Sequence, residues 1–257
     1  MKLFNTLIAG GLLTISFLVI PGATKAQTFQ EKVAENAVKE WQNFHNPPIV
    51  VRAKADTEIR RDTGTAERPL EYAQCNIVNR YWRSVKTPPR GDFCRLPRIA
   101  DKNQGGWDNY PWSAAFISFI MKQSGAGDQF KYSVRHATYI VDAVKNRNNP
   151  NASFRGYPAV KIKDYPIDPI RPSVGDLICA PRGKNAGLTY PQIIDQGDFE
   201  SHCDIVVAKN NNQLEVIGGN VGDSVAKTIV SLDDQGYIKV TKPDFRPWFV
   251  VIKNNLR

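Results

Sequence analysis

A serine, two histidines and an asparagine are the side chains here with the means to do acyl-transfer chemistry. Ser113 stands in Pro111-Trp112-Ser113-Ala114-Ala115-Phe116-Ile117-Ser118-Phe119-Ile120-Met121. A hydroxyl is a weak acid, so it attacks a carbonyl only when a neighbouring base takes its proton, with donors waiting for the oxyanion. The first turn of a helix supplies free N–H groups and a dipole that favour negative charge. A small residue at a crowded helix start can equally serve only to bond the backbone.

His202 lies in Ser201-His202-Cys203-Asp204-Ile205-Val206-Val207. Strand alternation puts His202, Asp204 and Val206 on one face and Cys203, Ile205 and Val207 on the other. Cys203 is thereby directed away from the histidine beside it and reads as structural. Asn220, in Val216-Ile217-Gly218-Gly219-Asn220-Val221, follows two glycines, so it marks either a turn or the edge of a site. An asparagine there can fix an imidazole tautomer without adding charge, and Asp204 is the alternative orienter. His136, in Val134-Arg135-His136-Ala137-Thr138-Tyr139-Ile140, is read as a packed histidine or one at a cleft rim. Trp107, Tyr110 and Trp112 precede Ser113 and are candidates to line a substrate groove.

The elements that must position these groups follow from periodicity. Residues 28–45 and Leu70 to Val85 carry apolar side chains at helical spacing. The segment from Ser113 is apolar almost all round, the mark of a buried helix, with Gly125 suited to stop it. Ser133 is placed to cap a further helix bearing Val134, Ala137, Ile140, Val141 and Val144. A short strand is expected at Ile49 to Arg52. Beyond Tyr157, short strands are expected at Ala159–Ile162, Asp176–Ala180, Cys203–Lys209, Leu214–Ile217, Lys227–Leu232, Tyr237–Val240 and Trp248–Ile252. Helices first and strands afterwards define an α+β fold with a mostly antiparallel sheet.

The N-terminus begins with Lys2, an apolar run from Leu7 to Ile20, the breaker Pro21-Gly22 and the small residues of Thr24-Lys25-Ala26. This is the layout of a signal peptide over residues 1–26. It predicts a periplasmic or secreted protein with no membrane span after cleavage. Residues 27–100 are read as an N-terminal helical extension and residues 101–257 as the main domain. The chain of 257 residues carries a net charge of +9, which drops by the charges of Lys2 and Lys25 on cleavage. No dense Lys/Arg run or aromatic-studded basic strand points to nucleic acid. Four cysteines in an oxidising compartment are expected as disulfides, with Cys75–Cys94 and Cys179–Cys203 the favoured pairs. Three histidines without His-x-x-x-His or Cys-x-x-Cys spacing argue against a metal site. No phosphate loop or dinucleotide fingerprint appears, so no cofactor is expected.

Taken in order with the turn and strand Pro172-Ser173-Val174-Gly175-Asp176-Leu177-Ile178, these segments resemble the CHAP and NlpC-type papain-like families. The Trp-Ser-Ala-Ala-Phe-Ile-Ser, Ser-His-Cys-Asp-Ile-Val and Ile-Gly-Gly-Asn-Val segments resemble, more narrowly, the bacterial domain of unknown function 2272, over roughly residues 101–232. The resemblance implies a papain-like fold with Ser113 at the nucleophile's place, His202 at the base's and Asn220 at the orienter's. Its departure is Ser113, since those amidases and peptidases use cysteine. The implied activity is hydrolysis of amide bonds in peptidoglycan stem peptides or a related peptide; separately, a monomer is expected. The alternative is a pseudoenzyme that binds cell-wall peptide or glycan without cleaving it.

Overall fold

The protein is described from a computed structural model covering residues 26–44, 50–53, 59–61, 72–85, 94, 110–222, 224–239 and 247–257. The expected signal peptide, apart from Ala26, and the groove candidate Trp107 lie outside the described residues. In chain order the elements are α1 (Phe29–Phe44), β1 (Val50–Ala53), β2 (Ile59–Arg61), α2 (Tyr72–Trp82), α3 (Ser113–Ser124), α4 (His136–Lys145), β3 (Phe154–Pro158), β4 (Leu177–Pro181), α5 (Ile193–Gln196), β5 (Ser201–Lys209), β6 (Gln213–Gly218), β7 (Ala226–Ser231) and β8 (Val250–Asn254). The fold is α+β.

One sheet runs in the order β2-β1-β7-β6-β5-β4-β8-β3. The stretch from β7 to β3 is antiparallel throughout, while β1 joins β7 in parallel and β2 pairs β1 antiparallel. Alternation along the strands sorts side chains onto two cores. Leu177, Cys179, Cys203, Ile205, Ile217, Val250 and Ile252 join the cluster that holds Phe29, Trp41, Tyr81, Phe116 and Ile120 from the helices. Ile178, Ala180, Val206, Val216 and Val251 join a smaller cluster with Leu232, Ile238 and Trp248. Each large side chain fully buried in this way contributes about 1.5–3 kcal/mol.

The helices follow from local chemistry. At the start of α1 the Thr28 N–H donates to Glu31 (2.7 Å) and the Glu31 N–H donates to Thr28 Oγ1 (3.2 Å), a reciprocal cap. Helix α3 is buried along most of its length and stops at Gly125, whose φ of 94° is the left-handed turn that glycine accepts without strain. Helix α4 starts later than expected. Arg135 is its N-terminal flanking residue, and Ser133 accepts from the Arg135 N–H (3.0 Å) while donating to Thr138 (2.9 Å). Ser133 therefore organises the turn before the helix rather than capping it.

Both expected disulfides are present, Cys75–Cys94 and Cys179–Cys203. The second joins residues directly opposite each other in the β4–β5 ladder. Two strand expectations need correction. The strand sought at Ala159–Ile162 lies earlier, at Phe154–Pro158, where Gly156 and Pro158 disguise it; Gly156 is required because a Cβ there would lie 2.8 Å from Val144 of α4. The segment sought as a strand at Tyr237–Val240 forms a single bridge, Leu232 to Ile238, and Val240 is outside the described residues. Asp233 accounts for this by accepting the N–H groups of Gln235 (3.0 Å) and Tyr237 (2.9 Å) and curling the chain into a turn.

Candidate functional site

The first helical residues of α3 and α4 meet. Ser113 Oγ lies 2.7 Å from His136 Nε2, and both residues are buried at 3% and 5% exposure. The other imidazole nitrogen, Nδ1, is hydrogen-bonded to the Tyr139 hydroxyl. His136 and Tyr139 are three apart on one helix and so share a face. Burial, and then the negative charge of Asp204, pushes the Tyr139 phenol well above its ordinary pKa, so it stays a neutral hydroxyl across the physiological range.

A second buried pair adjoins this one. His202 Nε2 lies 2.7 Å from Asp204 Oδ1, each residue 1% exposed. Two residues apart on β5, they point the same way, as alternation requires. The His202 ring is 5.3 Å from the His136 ring, centroid to centroid. Gly218 leaves the room this pair needs, for a Cβ on it would lie 1.8 Å from Asp204 Oδ1 and 2.9 Å from His202 Nε2. The neighbouring Gly219 does the same for Phe116, 2.5 Å from where its Cβ would stand.

The geometry brings some of the sequence candidates together and separates others. The hydrogen bond of Ser113 goes to His136, not to His202, and Asp204 is the partner of His202. Asn220, sought as an orienter, occupies a left-handed turn at φ 57° and makes no side-chain hydrogen bond among the described residues. Each orienting position is filled otherwise, by Tyr139 on His136 and by Asp204 on His202. Trp112, sought in a groove, is 1% exposed and packs against Phe44 and Tyr81 at 5.5 and 5.6 Å between ring centroids. Tyr110 is half-buried against the same core. Tyr139 was not a sequence candidate; its signal is the His-x-x-Tyr spacing once α4 is recognised as a helix.

A cleft of about 340 Å³ opens over Ser113 and His136, with Val134, Arg135, Arg182 and Glu200 among its lining residues. Arg135 pairs with Asp198 at 2.7 Å. Gly183, at φ 52°, leaves space for Glu200, whose carboxylate oxygen would be 1.7 Å from a Cβ there. The cleft thus joins a hydroxyl–imidazole pair to a rim carrying both signs of charge. The backbone N–H groups of the first turn of α3 have no intrahelical acceptors, while that of Phe116 already donates to Trp112 O at 2.9 Å. Among the described residues no group of His, Cys, Asp and Glu side chains is arranged to hold a metal ion, and no helix is long and apolar enough to cross a membrane.

No curated protein and no solved structure matches the chain. A bacterial family does, over residues 78–254. That span is wider than the 101–232 expected, reaching back into α2 and forward to the last residue of β8. It includes Ser113, His136, Tyr139, His202 and Asp204, so both buried pairs lie inside the family's own territory. The chain belongs to the family described as "Uncharacterized protein conserved in bacteria (DUF2272)".

Proposed function

We propose that the protein is an exported, cell-wall-associated hydrolase that cleaves amide bonds of peptidoglycan stem peptides or a related peptide, with Ser113 as nucleophile and His136 as its base. The observation that carries this reading is the 2.7 Å contact between Ser113 Oγ and His136 Nε2 beneath an open cleft. The base differs from the one implied by the papain-like resemblance, where His202 held that role. The resemblance, with its papain-like fold, supplies the reaction class. The two disulfides agree with an oxidising compartment.

In this reading the Ser113 proton moves to His136 Nε2 as Oγ adds to the substrate carbonyl. Tyr139 accepts a hydrogen bond from His136 Nδ1–H, which keeps Nε2 unprotonated and facing the serine. The oxyanion develops at the first turn of α3, where N–H groups and the helix dipole favour it. His136 then returns the proton to the departing amine, leaving an acyl-serine. A water activated by the same imidazole releases the acid and restores Ser113. The His202–Asp204 pair holds the environment of His136 from the side. A protein that binds cell-wall peptide without turnover is the second reading. One observation favours it: the group on His136 Nδ1 is a neutral phenol, which stabilises an imidazolium less than a carboxylate does.

Purified peptidoglycan is digested overnight with wild type, Ser113→Ala, Ser113→Cys, His136→Ala and His202→Ala, and released fragments are read by mass spectrometry. Wild type should release fragments, and Ser113→Ala and His136→Ala should lose them together, since general-base assistance alone is worth about 10²–10⁴ in rate. Retained release by Ser113→Ala would sink the serine mechanism. Release only by Ser113→Cys would favour the binding protein.

A further inference from the structure

The edge of the sheet around the Asp176 turn gathers cations faster than it supplies anions. Arg155 of β3 lies directly opposite Lys253 of β8, and like charges so placed repel. Lys253 Nζ reaches Asp176 Oδ2 at 2.5 Å, just ahead of β4. Asp176 is already engaged by the N–H groups of Ser173 (2.7 Å) and Asn254 (3.0 Å). One strand further on, at the end of β5, Lys209 Nζ donates to the Pro172 carbonyl at 2.9 Å, its one hydrogen bond among the described residues. Arg171 lies over the Tyr237 ring at 5.1 Å. Arg171 Cδ and Lys209 Nζ are neighbours above the Gly236 turn, each 3.7 Å from where a Cβ on that glycine would stand.

Among the described residues these four cations have one ion-paired carboxylate, Asp176. Among the described residues no ion pair joins Arg155 or Arg171 to an acid, and Arg155 Nε is sealed from water without an acceptor. A buried donor left in that state costs about 1–3 kcal/mol; the other nitrogens of the Arg155 guanidinium are the ones offered to a ligand. Of the two acids in the neighbouring turn, Asp233 is occupied by backbone N–H groups, and Asp234 makes no ion pair among the described residues. Burial, and then the charges of Lys253 and Arg171, hold the Lys209 ammonium below its usual pKa, in keeping with crowding of like charge. None of these residues lines the cleft over Ser113.

We propose that this cluster of Arg155, Arg171, Lys209 and Lys253 is a docking surface for a linear polyanion with phosphate groups in its repeat. The cations run from the end of β5, past β4, to β8 and β3, three strand spacings or about 14 Å, a span wider than a single ion bridges. Guanidinium groups match phosphate oxygens with paired donors. Phosphoryl oxygens also splay out of one plane and so meet donors arriving from separate strands, which a planar carboxylate does not.

The test is retention of the mature protein on immobilised polyphosphate across a salt gradient. Arg155→Gln/Arg171→Gln is compared with Lys122→Gln/Lys145→Gln, which removes the same charge from the helices. The first double should bind about tenfold more weakly, with the slope of log affinity against log salt falling by about 1–2. The second should behave as wild type. Arg171→Gln alone, at an exposed position, should show part of the loss with no fall in unfolding temperature, which separates binding from folding. No retention of wild type, equal losses in the two doubles, or no loss in the first would overturn the proposal. Equal retention on polyglutamate would overturn its assignment to phosphate, as would orthophosphate eluting the protein at the same phosphate concentration as free polyphosphate.

Discussion

Adding one methyl group at Gly218 perturbs the second histidine pair without touching either of its members. In Gly218→Ala the new Cβ would stand 1.8 Å from Asp204 Oδ1 and 2.9 Å from His202 Nε2. A separation of 1.8 Å is far inside contact distance, so the Asp204 carboxylate must swing away, and its 2.7 Å bond to His202 goes with it. Asp204 is 1% exposed and has no route to water. Overpacking alone costs about 1–3 kcal/mol, and breaking a buried charge-bearing pair raises the loss to about 3–5 kcal/mol. For a chain of this size each kcal/mol moves Tm by about 2–4 °C, so a fall of roughly 6–20 °C is expected by calorimetry. Gly187→Ala is the control, since nothing lies within 4 Å of its added Cβ and its φ needs no glycine. A Gly218→Ala protein melting within 2 °C of wild type, as Gly187→Ala should, would refute the reasoning that this carboxylate is locked against the glycine.

Other expectations concern the same scaffold. Tyr139→Phe leaves His136 Nδ1 buried without its hydroxyl partner, so unfolding free energy should drop by about 1–3 kcal/mol in denaturant titration, and turnover, where measured, should fall with it. Asp176 is raised above the ordinary carboxylate pKa, first by burial and despite Lys253. The native state therefore keeps this proton to higher pH than the unfolded chain. Its stabilising contribution is full below the unfolded value and is lost as pH rises through the folded one. Stability of wild type relative to Asp176→Asn should accordingly decline from pH about 4 upward, and a flat difference in urea midpoints across pH would contradict this. Replacing Cys179 and Cys203 together by alanine opens a covalent loop with a sequence separation of 24, which predicts a loss of about 3–4 kcal/mol on chain-entropy grounds.

Features decided within a few residues were legible in the sequence. The even cysteine count and the placing of Cys179 and Cys203 in two expected neighbouring strands led to the right pairing, and alternation placed His202 and Asp204 on one side of β5. Helix α3 announced itself by being apolar almost all round. Strand β3 was hidden because Gly156 and Pro158 read as a loop, although Gly156 is there for the close approach of Val144. The partner of Ser113 was hidden for another reason. Which histidine meets the serine is decided by how α4 docks beside α3, a packing event between residues 23 apart that no periodicity encodes. Trp112 misled for the same cause: an aromatic before a helix lines a groove or fills a core according to what α1 and α2 place above it.

The Cys179–Cys203 bond falls between His202 and Asp204 on β5 and crosses to the strand beside it. Only one alignment of the two strands brings those sulfurs together; a slip by one residue would turn His202 and Asp204 over to the opposite side of the sheet. Oxidation therefore works as a proofreading step on strand alignment, accepting the arrangement that assembles the histidine pair and passing over its neighbours. A chain still holding its thiols has no such latch, so correct assembly of this corner is tied to the redox state of the place where the protein folds.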